Sequence, residues 1–214
     1  MRGRQSGVVG LAGRGVCMAV AAGLAWGAPV SPVATLLPGT AARARALEPL
    51  PAEAEAVGMV KTRGGTVEYA ADGRVAKVNL ANRPATDADL ALLEKLPGLE
   101  SLEVWGAEIS NAGMPAVAKL SGLKTLVLEN TEVNDSGLAP LVKLANLKVL
   151  NLRRSSNMSD AALETVAKMT GLEQLVLLYN NFTDAGLAHL APLTKLRVLD
   201  LRDCSLISDA GMEH

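Results

Sequence analysis

Aromatic residues make up only 2% of this 214-residue chain, and it holds two Cys and two His. An interior with so few rings has to be built from aliphatic side chains, and a 49% hydrophobic content is enough to build one. Two Cys and two His far apart in sequence do not supply the four side-chain ligands of a structural zinc site. A formal charge of −1 gives no electrostatic reason to expect nucleic acid as a partner. The sequence also lacks G-x-x-x-x-G-K-[ST], H-E-x-x-H and G-x-S-x-G, so phosphate-loop, zincin and hydrolase-elbow chemistry find no anchor. No catalytic residue, cofactor or metal is expected.

Acid is missing from residues 1–47, which carry Arg2, Arg4, Arg14, Arg43 and Arg45, leaving 16 basic against 22 acidic groups from Glu48 onward. An apolar segment from Val16 to Ala28 follows the first arginines, and Pro29, Pro32 and Pro38 come after it. A basic start, a short apolar run and small residues match a secretory signal, with cleavage near Ala25 or within Ala41 to Ala46. Two alternatives stay open. The 28 uncharged residues from Gly15 to Ala42 are long enough for an uncleaved membrane anchor, and an Arg-rich, acid-free leader also fits an organelle transit peptide. The expected location is therefore exported, meaning secreted, periplasmic or cell-envelope, or else membrane-anchored through this segment. Cys17 reads as an apolar member of the leader, and its removal leaves Cys204 without a disulfide partner.

An apolar triplet spaced x, x+3, x+5 recurs down the rest of the chain. It is found at Val75, Val78, Leu80; Leu99, Leu102, Val104; Leu123, Leu126, Leu128; Leu147, Leu150, Leu152; Leu172, Leu175, Leu177; and Leu196, Leu199, Leu201. The first members step by 24, 24, 24, 25 and 24 residues. A second apolar series at spacing three follows each triplet, as in Leu138, Leu141, Leu144 and Leu187, Leu190, Leu193. Spacing of two puts side chains on one face of a short strand and spacing of three on one face of a short helix, so each unit reads as strand, turn, helix. Thr86-Asp87, Ser110-Asn111, Asn134-Asp135, Ser159-Asp160, Thr183-Asp184 and Ser208-Asp209 supply the acceptors that the first amides of each helix need. A unit of about 24 residues cannot bury its apolar face alone, so neighbours must stack. Ahead of the units, residues 51–61 read as a helix ended by Gly64-Gly65, and residues 66–80 as a hairpin turning at Ala71-Asp72-Gly73.

The stretches L-K-T-L-V-L-E-N-T-E-V-N-D-S-G-L at Leu123 to Leu138 and L-E-Q-L-V-L-L-Y-N-N-F-T-D-A-G-L at Leu172 to Leu187 resemble leucine-rich repeats of the D-x-G-L type. Leu196 to Met212 resembles the cysteine-containing variant, seen also in F-box leucine-rich-repeat proteins and akin to ribonuclease-inhibitor-like solenoids. The resemblance implies an α/β fold: a right-handed horseshoe solenoid with a parallel concave sheet and helices on the convex side. It divides the chain into a leader at 1–46, an N-terminal cap at 47–74 and about six repeats at 75–214, the last incomplete. The first unit departs from the pattern with Arg83-Pro84 and with Asp89 where Gly usually sits, as suits an edge repeat. The last unit stops after D-A-G-M, so its apolar face around Met212 is expected to be exposed.

The same geometry puts the residues between triplet members on the concave face, where Trp105, Glu103, Glu129, Arg153, Arg154, Tyr179, Asp200 and Arg202 are the candidate binding residues. Trp, Tyr and Arg are the types enriched as interface anchors. Glu103, Glu129, Asp200 and Asp203 read as solvated charges on an open surface rather than as an acid–base couple, and His189 as an outward surface residue. The function expected is a noncatalytic scaffold that binds a protein or other macromolecule through the concave face. The alternatives are a substrate-recognition adaptor of the ubiquitin-ligase type, the recognition arm of a larger protein, or a purely structural array. An F-box would have to precede the repeats, and Leu47 to Ala54 echoes one only faintly before the hairpin begins.

Intact mass with N-terminal sequencing of protein from its native host is expected to show a mature start between Trp26 and Leu47 in an exported fraction. An intact Met1 in the cytosol overturns the export reading.

Overall fold

A computed structural model describes residues 49–213; the leader assigned to 1–46, with Cys17, lies outside the described residues. Helix α1 (Ala54–Thr62) comes first, three residues later than the expected start because Pro51 to Glu53 form a turn. Gly64, at φ 77°, ends it in the left-handed region that only glycine enters without cost. Seven strands then form one sheet in chain order: β1 (Thr66–Tyr69), β2 (Val75–Pro84), β3 (Ser101–Trp105), β4 (Thr125–Glu129), β5 (Val149–Asn151), β6 (Gln174–Val176) and β7 (Val198–Asp200). The β1–β2 hairpin is antiparallel, and every later pair is parallel.

Register follows the triplets. Val78, Leu102, Leu126, Leu150, Leu175 and Leu199 are direct neighbours across the parallel strands, so the middle triplet members form one unbroken apolar row. The first five of that row are buried, as are the flanking members from Val75 to Leu177. Each such side chain contributes roughly 2 kcal/mol by leaving water. Ala56, Val57 and Val60 of α1 close the core at the N-terminal end.

The opposite side is more varied than a row of α-helices. It holds α2 (Asp87–Leu93), a 3₁₀ turn (Asn111–Gly113) running into α3 (Met114–Val117), a 3₁₀ segment (Asp135–Lys143), α4 (Asp160–Val166), α5 (Asp184–Ala188) and a last 3₁₀ segment (Asp209–Glu213). Leu138, Leu141 and Leu144 recur at three residues, and a 3₁₀ helix eclipses that spacing, whereas an α-helix rotates it off one face. Pro140 inside this segment also lacks the N–H that an α-helical bond would need.

What joins the units on this side is a ladder of carboxylates. Asp87, Asp135, Asp160 and Asp184 each accept the backbone N–H and the hydroxyl of Ser110, Ser159, Thr183 and Ser208, with every hydroxyl bond at 2.6 Å. Asn111 does the same for the Asn134 N–H at 3.0 Å. Four of the five cap residues from Thr86 to Ser159 and Thr183 also cap their own helix, but Thr183 does not. The acid after each cap therefore serves the following unit more than its own helix dipole. Close approach explains the Gly of D-x-G-L: a Cβ on Gly113 would sit 2.5 Å from Asp87 Oδ1, and one on Gly186 would collide with the Asp160 carboxylate. Only the fourth unit carries Ala162 at this place.

The first unit has no preceding carboxylate. Asp89, where Gly stands elsewhere, turns its own carboxylate back to accept the Thr86 N–H at 2.9 Å and hydroxyl at 3.1 Å, and it pairs with Arg63 of the cap at 2.9 Å. At the other end Val198, Leu206 and Met212 are exposed, Met212 to 62%. None of the helices among the described residues is long and apolar enough to cross a membrane.

Asp160→Ala and Gly186→Ala are each expected to destabilise the protein by about 1–3 kcal/mol, the first by orphaning the Thr183 donors and the second by the collision. The double variant is expected to cost less than the sum, because the colliding atoms are gone. Urea unfolding midpoints check this, and strictly additive costs would show that the glycine serves another purpose.

Candidate functional site

Side chains alternate along a strand, so those between triplet members leave the core and line the sheet face in rows. Lys77, Ser101, Thr125, Val149, Gln174 and Val198 form one row; Asn79, Glu103, Val127, Asn151, Val176 and Asp200 form the next. Trp105 and Glu129 are cross-strand neighbours in a third. The face is charged, and three of its acids have side-chain partners on it. Glu103 accepts from Asn79 Nδ2 at 2.8 Å, Glu129 pairs with Arg153 at 3.4 Å, and Asp200 takes two hydrogen bonds from the Arg202 guanidinium at 2.9 and 2.7 Å. The Arg202 hydrogen bond holds the Asp200 carboxyl below its usual range despite some desolvation, so this acid stays ionised. His189 lies exposed at the end of α5. Among the described residues no three His, Cys, Asp or Glu side chains group as a metal site would require.

Two residues after the last member of each triplet the chain passes through one residue of positive φ. These are Asn82, Gly106, Asn130, Arg154, Tyr179 and Asp203, at the same place in all six units. The amides of Gly106, Asn130, Arg154 and Tyr179 each donate to a carbonyl of the next unit, which holds the turn in that conformation. Asn, Asp and Gly tolerate it; Arg and Tyr pay a steric penalty of about 1 kcal/mol or more. Those two bulky exceptions are adjacent. The Arg154 guanidinium lies 5.1 Å from the Tyr179 ring centre and that of Arg153 lies 5.7 Å away, within cation–π range. Tyr179 keeps 45% of its surface exposed.

Glu129, Arg153, Arg154 and Tyr179 thus form one cluster on β4 to β6 and the turns after them. The half-buried Trp105 borders this cluster as the cross-strand neighbour of Glu129, Glu103 bonds Asn79 of β2, and Asp200 with Arg202 makes a separate pair on β7. Near the hairpin, Thr66, Glu68, Lys77, Asn79, Ser101 and Glu103 line an open polar cavity of about 390 Å³. Thr66 and Glu68 reach it only because β1 folds back on β2, which the repeat pattern does not encode. The repeated left-handed turn is likewise not part of the apolar periodicity, although Asn82, Gly106, Asn130 and Asp203, each two residues after a triplet, carry its signal.

In the last four units the residue after that turn is buried and carries a polar atom: Thr131, Ser155, Asn180 or Cys204. Asn180 donates to the carbonyls of Leu152 and Leu177 and accepts the Ser155 N–H, tying two units together. Cys204 fills the equivalent place, its thiol donating to the Leu177 carbonyl at 3.0 Å. Burial pushes this thiol up from its ordinary pKa.

Six parallel strands at a 24-residue pitch, each returned through a short helical segment, define the architecture, and a leucine-rich-repeat family model matches residues 193–213. The fold is that of a leucine-rich-repeat solenoid. Among solved structures it is similar to the ectodomain of the receptor kinase SOBIR1 from Arabidopsis thaliana, at 14% identity over 75% of this chain and 97% of that one, with a TM-score of 0.47. It is similar too to the Arabidopsis receptor kinase HAESA, solved with the peptide hormone IDA and the co-receptor SERK1, at 18% identity and a TM-score of 0.47; there it covers 75% of this chain and 35% of that one. No curated protein sequence matches the solenoid.

Alkylation of Cys204 by iodoacetamide, read on its own peptide, is expected to run at least about a hundredfold slower in the native solenoid than in urea. Equal rates would show that the turn of the last unit does not hold the thiol.

Proposed function

We propose that this solenoid is a noncatalytic scaffold that binds a protein or other macromolecule across its sheet face, with Arg154 and Tyr179 as its principal anchors. The supporting observation is the placement of two bulky, exposed side chains, in contact with each other, at the one backbone position where the other units use Asn, Gly or Asp. A strained position filled by a large interface-type residue is accounted for by what that residue contacts outside the chain. Glu129 and Arg153 brace the pair from below, and Trp105, Glu103, Asp200 and Arg202 extend the polar and aromatic surface to either side. Rigid strands present these groups already ordered, which lowers the entropy cost of association.

The same reading takes residues 1–46 as an export leader, 47–74 as the cap and 75–214 as the binding array. The Arg-rich, acid-free start supports export, and a mildly acidic remainder supports a protein partner over nucleic acid. Membrane contact enters only if the leader stays attached.

A photoreactive residue at position 202, on the sheet face, is expected to give adducts of defined mass with components of the native host's exported fraction, and one at position 164 on α4 is not. Tyr179→Gly and Arg154→Gly, which relax the backbone, are expected to leave the unfolding midpoint unchanged or raised while abolishing those adducts. Equal labelling from both faces, or adducts indifferent to the two substitutions, would overturn the assignment.

A further inference from the structure

Hydroxyl groups on the convex side are engaged within the chain, as those of Ser110, Ser159, Thr183 and Ser208 are. Three on the sheet face are not. Among the described residues the hydroxyls of Thr66, Ser101 and Thr125 have no hydrogen-bond partner, and all three line the open cavity of about 390 Å³ beside the hairpin. Ser101 and Thr125 are half-buried cross-strand neighbours on β3 and β4, and Thr66 faces Asn79 across the β1–β2 hairpin. Next to them Asn79 Oδ1 accepts the Ala81 N–H at 2.8 Å, which fixes the amide so that Nδ2 donates to Glu103 Oε2 at 2.8 Å. One N–H of that amide and one oxygen of that carboxylate are left over. At the rim Lys77 pairs with Glu68 and Lys124 with Glu100, both at 2.7 Å, so these four charges cancel. The apolar residues that line the cavity are Ala76 and Val78 alone.

We propose that this cavity is a second binding site, for a neutral saccharide that presents vicinal hydroxyl groups. A sugar hydroxyl both donates and accepts, and the leftover Asn79 N–H and Glu103 oxygen, side by side, answer two neighbouring ones. The hydroxyls of Thr66, Ser101 and Thr125 take either role toward the rest of the ring. Charge and lining select against the other ligand classes. Glu103 leaves the site one negative charge in excess, which opposes a phosphate or a carboxylate. An ammonium group has no lone pair to offer the Asn79 N–H, and an apolar or aromatic anchor finds no matching wall. The hairpin makes the site, since β1 runs antiparallel to β2 and brings Thr66 and Glu68 onto this face, an arrangement that the parallel units do not repeat. The cavity shares Glu103 alone with the macromolecule-binding surface and none of the Arg154 and Tyr179 anchors, so it does not rest on them.

The test applies the 214-residue protein to an array of neutral and acidic glycans, then titrates a neutral glycan that binds into ¹⁵N-labelled protein and follows the amide resonances. Saturable shifts are expected in residues 66–68, 77–79, 101–103 and 124–125, and none at Arg154 or Tyr179. Glu103→Gln is expected to weaken the glycan at least about tenfold, because it removes a charge-assisted acceptor, and Thr125→Val to weaken it about two- to tenfold. Urea midpoints close to that of the parent protein are expected for both, since these side chains stand on the solvated face. Inorganic phosphate and ethylammonium, tested separately, are expected to leave the cavity amides unshifted at the concentration where the glycan saturates. An array without binding, binding confined to acidic glycans, or shifts centred on Arg154 and Tyr179 would overturn the proposal. So would either charged probe acting at lower concentration than the glycan, or folded Glu103→Gln and Thr125→Val proteins that bind as the parent does.

Discussion

Four carboxylates, those of Asp87, Asp135, Asp160 and Asp184, leave their own helical turns and bind the amide and hydroxyl of the Ser or Thr that opens the next turn. Much else in the chain answers to that contact. It crowds a Cβ at Gly113, Gly186 and Gly211, so the third place of D-x-G-L takes a small residue, glycine or the Ala162 of the fourth unit, beside the oxygen of a neighbour. It also fixes how far each convex segment lies from the last. The triplet rows then meet in register across the sheet, and the aliphatic core continues from unit to unit.

A contact that needs a giver and a receiver creates a problem at both ends of the array. At the start, Asp89 takes the place of the glycine and supplies from within the unit the carboxylate that a predecessor would have supplied. Arg63 neutralises this buried acid, which couples the hairpin cap to the first repeat. At the far end no described residue donates to Asp209, and Leu196, Leu199 and Leu201 are partly buried with Met212 exposed.

On the sheet face a separate constraint operates. Each unit passes through a left-handed residue two places after its triplet, and carbonyls of the next unit lock four of these turns, those at Gly106, Asn130, Arg154 and Tyr179. Residues that suit the turn are small and polar, so a bulky one there is conspicuous energetically as well as chemically. Arg154 and Tyr179 meet at adjacent turns, with Arg153 and Glu129 beneath them, in the middle of a charged surface.

The sequence by itself determined the repeat, its pitch, the strand positions and the inward-facing residues, because side-chain periodicity is a local property that a 24-residue period displays six times over. It also marked Asp89 and Met212 as departures at the two ends, and Trp105, Arg153, Arg154 and Tyr179 as surface residues of interface type. Only the tertiary structure decided which of them gather: the Tyr179 ring joins the guanidinium groups of Arg153 and Arg154, while Trp105 lies beside Glu129 at the margin of that cluster. It alone showed that the acid after each cap serves the neighbouring unit, and that three-residue spacing makes 3₁₀ turns as readily as α-helices. These outcomes depend on atoms about 24 residues apart meeting across a stack, and no pattern within one unit records which side of it will be touched.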